Sequence, residues 1–572
     1  MLNSQYSYYP IQPNNPKDAD RYALAYYALC QLKRTEDLSF IRKLMSPPPD
    51  ITSYASPGEF KNLKVGIVGG GLSGLSAAFE LRKLGFNITV LDALKDRVGG
   101  RIYTYYFDRD KSLYGELGAM RIPVTHETVW HYLNLFKLPT RPFIQVNNNA
   151  YICLSNVSVR NDPYGINVMK YIYPKYNMKS WERNLSWQKL LDQGIENPIL
   201  LATPEERAEI IQVKPSYSRK IDFWDATSSI KMMETSGLSQ SAINITSNFS
   251  PLLKGNLYNS YIDFIEENYP VSLSYLYEIP GGMQRLPLSF YNSLMNPAPF
   301  DEYTGIASTD VGKVTWKAGS WVDGMLYNPV NKKVALKYHS QNNDNINEEF
   351  DFVICTIPFS SLRNVKVNPL FSELKMRAIR EVNYCTSQRT LMLCNERFWE
   401  KQGIVGGGSI TDLSNASIWY PSDHIKYLKP CETGQDPFEA LPFNTFGVLL
   451  GSYNFNLDAI RLTNLPEKKR FEELKWVIEK VHCLPIGYLN SIVEDFKTIN
   501  WDEEAAFRGS LCFFTPEQKR IFSYCMTLPE YDERVFFAGE HISAVHRWMQ
   551  GALQSGMQAA NDLVIACKKK LC

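Results

Sequence analysis

A β-branched strand run, a glycine turn that opens a helix, and an acid that closes the next strand predict a mixed α/β fold. Its leading unit reads as a Rossmann-like dinucleotide-binding βαβ. The run KVGIV at Lys64–Val68 suits a buried strand. Gly69, Gly71 and Gly74 then fit G-x-G-x-x-G. The first permits a tight turn, the second lets the main chain approach a pyrophosphate, and the third lets the helix pack on the strand. Residues 72–84 read as that helix, its N-terminal N–H groups and positive dipole end facing the phosphates, with Gly85 as C-cap. Residues 87–91 form the second strand. Asp92 ends it about twenty residues beyond Gly69, where a carboxylate accepts from an adenosine ribose.

The 572 residues exceed what one core organises, so two or three domains are expected. A net charge of +1 carries no electrostatic footprint for nucleic acid or an anionic membrane. No apolar run is long enough to span a bilayer, and the first residues lack a secretory pattern. The 11 cysteines are scattered without C-x-x-C or paired histidine spacing, which points to reduced thiols, a cytoplasmic location and no metal. His126 and His131 have poor metal spacing and read as structural, as do His541 and His546.

Along the chain, residues 1–60 read as a helical arm stopped by Pro47-Pro48-Pro49. The dinucleotide-binding domain is expected in three parts, 61–124, 276–360 and 531–572. Residues 125–275 read as a helical insertion that caps something, with helices such as 186–193, 205–212, 224–234 and 258–268. Residues 311–317, 324–327 and 333–338 suggest a meander, 342–349 a polar loop tip, and 361–530 a second, substrate-binding domain with its own sheet. Val535–Phe537 then leads into Gly539 and Glu540. A long C-terminal helix from Trp548 carries small residues, Gly551, Ala552, Ser555, Gly556, Ala559 and Ala560, on one face.

Six ordered segments, GIVGGGLSGLSAAFEL, DRVGGRIYT, GELGAMRIP, IPGGMQRLP, FAGE and RWMQGALQSGMQAA, span most of the chain. Together they resemble the flavin amine oxidases, and among them the L-amino-acid oxidases. The resemblance implies FAD held without a covalent tether, since no cysteine lies between Arg534 and Ala566. Gly69, Gly71, Leu72, Ser73 and Gly74 would hold the pyrophosphate from the first turn, with Asp92 and Ala93 at the ribose. Arg97, Gly99, Gly100 and Arg101 would wrap the phosphates. Gly118, Ala119, Met120 and Arg121 would run beneath the ring, Glu540 beside Gly539 would meet the ribityl hydroxyls, and Val314, Trp501, Trp548 and Met549 complete the cofactor set.

For the substrate, the resemblance implies that Arg121 clamps an α-carboxylate, a task that suits a planar guanidinium. Tyr453 would support the same carboxylate, Trp548 would wall the pocket with Leu511, and the main-chain carbonyl of Arg547 would accept from the amine, its side chain being free to reach the entrance. Arg389 stands where many relatives place a lysine near the flavin, and arginine cannot act as a base. The implied reaction is oxidative deamination of an L-amino acid by oxygen, giving a 2-oxo acid, ammonia and peroxide, in a homo-oligomer. Three alternatives stay open: an amino-acid monooxygenase, an amine or polyamine oxidase, and a non-catalytic FAD-binding protein.

Overall fold

The computed structural model describes residues 11–297, 301–340, 343–425 and 442–571. Its organising layer is a parallel sheet of five strands in the order Val314–Ala318, Asn87–Asp92, Lys64–Val68, Phe352–Cys355 and Val535–Phe537. The first strand sits at the centre, flanked on both sides by buried strands, which is why KVGIV is apolar almost throughout. Strands from three distant stretches of chain therefore share one sheet, and the glycine turn opens at its carboxyl edge.

Helix Leu72–Lys83 leaves that turn and is buried on all sides. The C-terminal helix Met549–Leu571 lies against it. A side chain at Gly556 would meet Ser76 Oγ at 2.1 Å and Ser73 O at 2.3 Å, so the small face expected from sequence serves a close helix–helix approach. Gly85 follows the first helix at φ +88°, a left-handed position that suits glycine.

Four sequence expectations are corrected here. Residues 311–317 do not begin a meander: the strand starts at Val314 and adds to the parallel sheet beside Asn87–Asp92. The supposed loop tip at 342–349 is, over its described part, strand Asn343–Phe350, paired antiparallel to Lys333–Ser340. Its polar composition hid a two-residue period in which Ile346 and Phe350 pack inward. Within 125–275, strands Tyr151–Leu154 and Val157–Arg160 form a hairpin at the edge of the seven-stranded sheet, through parallel pairing of Ile152 with Ile410 and Cys153 with Thr411. The helix expected over 224–234 is two helices, Arg219–Asp225 and Ser229–Thr235, because the Ser228 hydroxyl caps the second by accepting from the Lys231 N–H.

The seven-stranded sheet carries Ser387–Cys394 and Gly447–Phe455 near its centre. The short helices of the insertion form a separate apolar core, against whose rim Tyr453, Leu511 and Trp548 pack. The N-terminal helices Asp18–Gln31 and Leu38–Met45 bind this insertion through Asp37, which receives Arg207 Nε at 3.0 Å. Parallel sheet and second sheet converge on one long cavity, with the insertion packed behind its wall.

Candidate active site

The cavity, about 260 Å³, begins at the glycine turn and ends at Tyr453, Leu511 and Trp548, which pack against the insertion's core. Its first half is walled by Gly69, Gly71, Leu72, Ser73, Asp92, Ala93, Gly99, Gly100 and Arg101. The helix opens from Gly71 with no side-chain cap, so its first N–H groups are left for a ligand. At Gly71 the space a side chain would take is open save for Gly100 Cα at 4.0 Å. An uncapped helix start facing a glycine-lined groove fits a pyrophosphate.

Asp92 is the acid expected at the ribose. Its Oδ1 accepts from the Leu94 N–H at 3.2 Å, while Oδ2 is buried against Gly70 without a hydrogen-bond partner. Burial pushes the carboxyl up to about 6, against the pull of main-chain N–H donors and Arg97. An orphaned carboxylate oxygen beside the groove is the unsatisfied half of a contact to hydroxyl donors.

The far half is walled by Gly118, Ala119, Arg389, Tyr453, Trp501, Leu511, Gly539, Glu540, Arg547, Trp548 and Met549. Glu540 is buried, yet Arg101 at 2.9 Å and the histidines and main-chain N–H groups around it hold its carboxyl down at about 2. Its oxygens also receive the N–H groups of Arg547 at 2.9 Å and Cys512 at 3.2 Å. Glu540 thus fixes the corner where the two ends of the chain meet.

Arg121 stands just behind this wall. Its guanidinium lies between two indoles, 5.5 Å from Trp419 and 5.9 Å from Trp548, and donates to Gln145 Oε1 at 3.0 Å. Among the described residues no carboxylate forms an ion pair with it. Arg389 is buried, its Cζ 3.8 Å from the Tyr453 ring centre, and donates to the carbonyls of Glu116 and Gly118. It ties down the main chain that carries Gly118 to Arg121. Strand pairing sets Arg389 directly opposite Tyr453, so the two sheet neighbours reach the cavity together.

Four cofactor expectations shift. Val314 sits in the edge strand of the parallel sheet, packed against the core, and does not line the cavity; Ser320, Trp321 and Val322, just past that strand, do. Gly74 lies behind the groove, where a side chain would meet Gly69 O at 2.1 Å, so its work is helix packing. Arg97 folds back over Tyr103 at 4.4 Å and donates to Gly100 O, stiffening the loop from behind. Met120 turns to a second, smaller cavity with Glu116, Phe143 and Trp419.

Arg547 is the fifth correction. Its main chain belongs to the wall, but its side chain goes inward to Asp263 instead of to the entrance. His546 and His541 are both buried: His546 donates to Asp263 at 2.7 Å, and His541 meets the Phe359 ring edge-on. Asp263, Glu266 and His546 lie close enough to suggest a metal cluster, but Arg547 and Lys519 already neutralise the two acids. Sequence reading missed Asp263, Gln145, Trp419 and Phe507 because none sits in a motif. Only the distance across the fold links them to the site.

The comparisons agree with this geometry. The model of the flavin-containing amine oxidoreductases matches residues 72–564. An L-amino-acid oxidase of Sistrurus catenatus edwardsii is 28% identical over 513 residues, covering 87% of this chain and 86% of its own. One of Bothrops moojeni, L-amino-acid oxidase BmooLAAO-I, is 27% identical over 518 residues, covering 87% and 89%. Among solved structures, putrescine oxidase bound to putrescine superposes with TM-score 0.65 at 16% identity, over 88% of this chain and 99% of its own. Cyclohexylamine oxidase from Brevibacterium oxydans does so with TM-score 0.62 at 14% identity, over 88% and 99%. The uncapped glycine turn, the orphaned Asp92 oxygen and the matched length together place the chain in the family of flavin-containing amine oxidoreductases.

Proposed function

We propose that this chain is an L-amino-acid oxidase that uses FAD and oxygen to convert an L-amino acid to a 2-oxo acid, ammonia and hydrogen peroxide. The observation that carries the reading is Arg121, a partly buried guanidinium at the substrate end of the cavity with no carboxylate ion pair among the described residues. Glu267 acts on it only from beyond ion-pair distance and shares its charge with Arg547, so the cation is costly to keep there unless a ligand supplies a closer anion. An α-carboxylate meets that need, and the amines named for the structural neighbours carry none.

The residues fit the cofactor. Gly71, Leu72 and Ser73 would hold the pyrophosphate, Asp92 the ribose, and Gly118, Ala119, Trp548 and Met549 the ring end. FAD supplies the hydride acceptor. No cysteine stands in the cavity wall, which supports a non-covalent cofactor.

The protein's own work is orientation and charge. Arg121 and Tyr453 hold the carboxylate, and the Arg547 carbonyl takes an amine hydrogen, so that Cα faces the ring. Arg389 remains a cation and serves no proton transfer. With Arg121 it sets two guanidinium groups at the substrate end, which favours the neutral amine over the ammonium form. The neutral amine is the form whose lone pair drives hydride departure from Cα. The imino acid so formed takes up water and releases ammonia.

The free thiols among the described cysteines support a reducing, cytoplasmic setting, and a homo-oligomer is part of the proposal. The test is anaerobic exposure of the FAD-loaded protein to each L-amino acid, followed by Arg121→Met. Bleaching by at least one amino acid is expected, and the variant should lose about a hundredfold or more in kcat/KM, the value of a clamped charge. If the variant keeps full activity and prefers the decarboxylated amine, the enzyme is an amine oxidase. Amide and CO₂ as products would make it a monooxygenase.

A further inference from the structure

Arg547 occupies a left-handed backbone position, φ +72°, that favours glycine. A large side chain persists there only if the surroundings over-determine it. The constraints are all visible. Its N–H donates to Glu540 Oε2 at 2.9 Å, Nη1 to Asp263 Oδ2 at 2.7 Å, and Nη2 to the Asp263 carbonyl at 2.6 Å. The guanidinium also lies over the Phe513 ring at 4.6 Å.

Asp263 takes more than one residue of this segment. Its Oδ1 accepts from His546 Nδ1 at 2.7 Å, so one fully buried carboxylate grips two successive residues immediately before Trp548. It comes from helix Tyr261–Ile265 of the insertion, far from the cofactor-binding sequence. Arg547 and Trp548 line the cavity, whereas Asp263 does not.

We propose that Asp263 is a positioning residue: from behind the cavity wall it pins the left-handed peptide at Arg547 and thereby sets the Arg547 carbonyl and the Trp548 ring against the substrate. This rests on the oxidase reading of the site. A buried ion pair is by itself weak evidence of added stability, since apolar replacements often serve as well. What this pair does that an apolar contact does not is hold one strained main-chain geometry.

The experiment uses the FAD-loaded protein and two variants, Asp263→Asn and Asp263→Asn/Arg547→Gly. Glycine accepts the left-handed position without a clamp, and the group placed there is a main-chain carbonyl, so the double variant removes the need for Asp263. Asp263→Asn should lower kcat/KM by about a hundredfold, the usual consequence of misplacing a contact by an ångström. The double variant should regain at least about tenfold of that loss, since the wall can settle again. A second readout needs no turnover: the affinity of benzoate, followed by the change it causes in flavin absorbance, should weaken in the single variant and recover in the double.

A melting temperature that falls in Asp263→Asn while kcat/KM and benzoate affinity hold would overturn the proposal. So would a double variant no better than the single at full flavin content. If Asp263→Asn does not fold, the double variant compared with wild type decides: benzoate affinity near wild type supports the proposal, and its loss sinks it. Failure of the oxidase reading shows separately, as wild-type flavin that no L-amino acid bleaches, and the benzoate comparison then still judges Asp263.

Discussion

The two halves of the cavity are built by opposite means. The cofactor half is nearly all main chain from one contiguous stretch: the glycine turn, the uncapped helix start and Asp92 at the end of the next strand. The substrate half relies on side chains from separate segments: Arg389, Tyr453, Leu511 and Trp548 on the wall, with Arg121 and Asp263 behind them. Binding a pyrophosphate needs N–H groups and space, which local sequence supplies. Orienting a small zwitterion needs charges at fixed separations, which only packed elements supply.

That contrast predicts how each half fails, and the largest effect belongs to the main-chain half. Gly74→Val drives a side chain into the Gly69 carbonyl, so FAD binding should be lost altogether. Flavin content of the purified protein measures it, and a fully yellow variant would break the contrast. Next comes the loss of about a hundredfold expected for Arg121→Met, at unchanged flavin content.

Smaller is Arg389→Met, which frees the carbonyls of Glu116 and Gly118. It should lower kcat by about tenfold while flavin content holds, a modest misplacement rather than a lost group. Stopped-flow flavin reduction checks it, and a pH–rate profile that loses an arm instead would mean that Arg389 acts in proton transfer.

An effect of similar size separates the halves by pH. The Asp92 carboxyl, raised by burial to about 6, binds a proton in the empty protein that hydroxyl donors of a bound ribose would displace. FAD binding should therefore release a proton, and affinity should rise about tenfold from pH 5 to pH 7 and level off above. The sign for folding is opposite: an acid raised in the folded state costs stability as pH climbs through that value. Asp92→Asn should abolish the pH dependence of FAD affinity, measured by flavin fluorescence on titrating apoprotein. A dependence that survives the substitution points to another group.

Legibility followed the same division. The strand, turn and helix at 64–83 stood where the motif put them, since glycine spacing and β-branching act on nearest neighbours. Strand Asn343–Phe350 was missed because six of its eight residues are polar, and its inward period shows only against a partner strand. Val314 was misassigned by a few residues: the cavity opens past the end of its strand, at Ser320, Trp321 and Val322. The hairpin at 151–160 was read as part of a helical region because its neighbours in sequence are helical, whereas its neighbours in space are strands.

By itself, then, the sequence determined the glycine turn, the helix it opens and the acid that ends the next strand. These are set by local backbone conformation or by a single side chain's chemistry. Only the tertiary structure decided that Arg547 turns inward to Asp263, that Arg389 ties down Gly118 beneath Tyr453, and that Arg121 stands between two indoles. Each of those depends on which distant segment fills the space beside it, and that is settled by packing across the fold rather than by spacing along the chain.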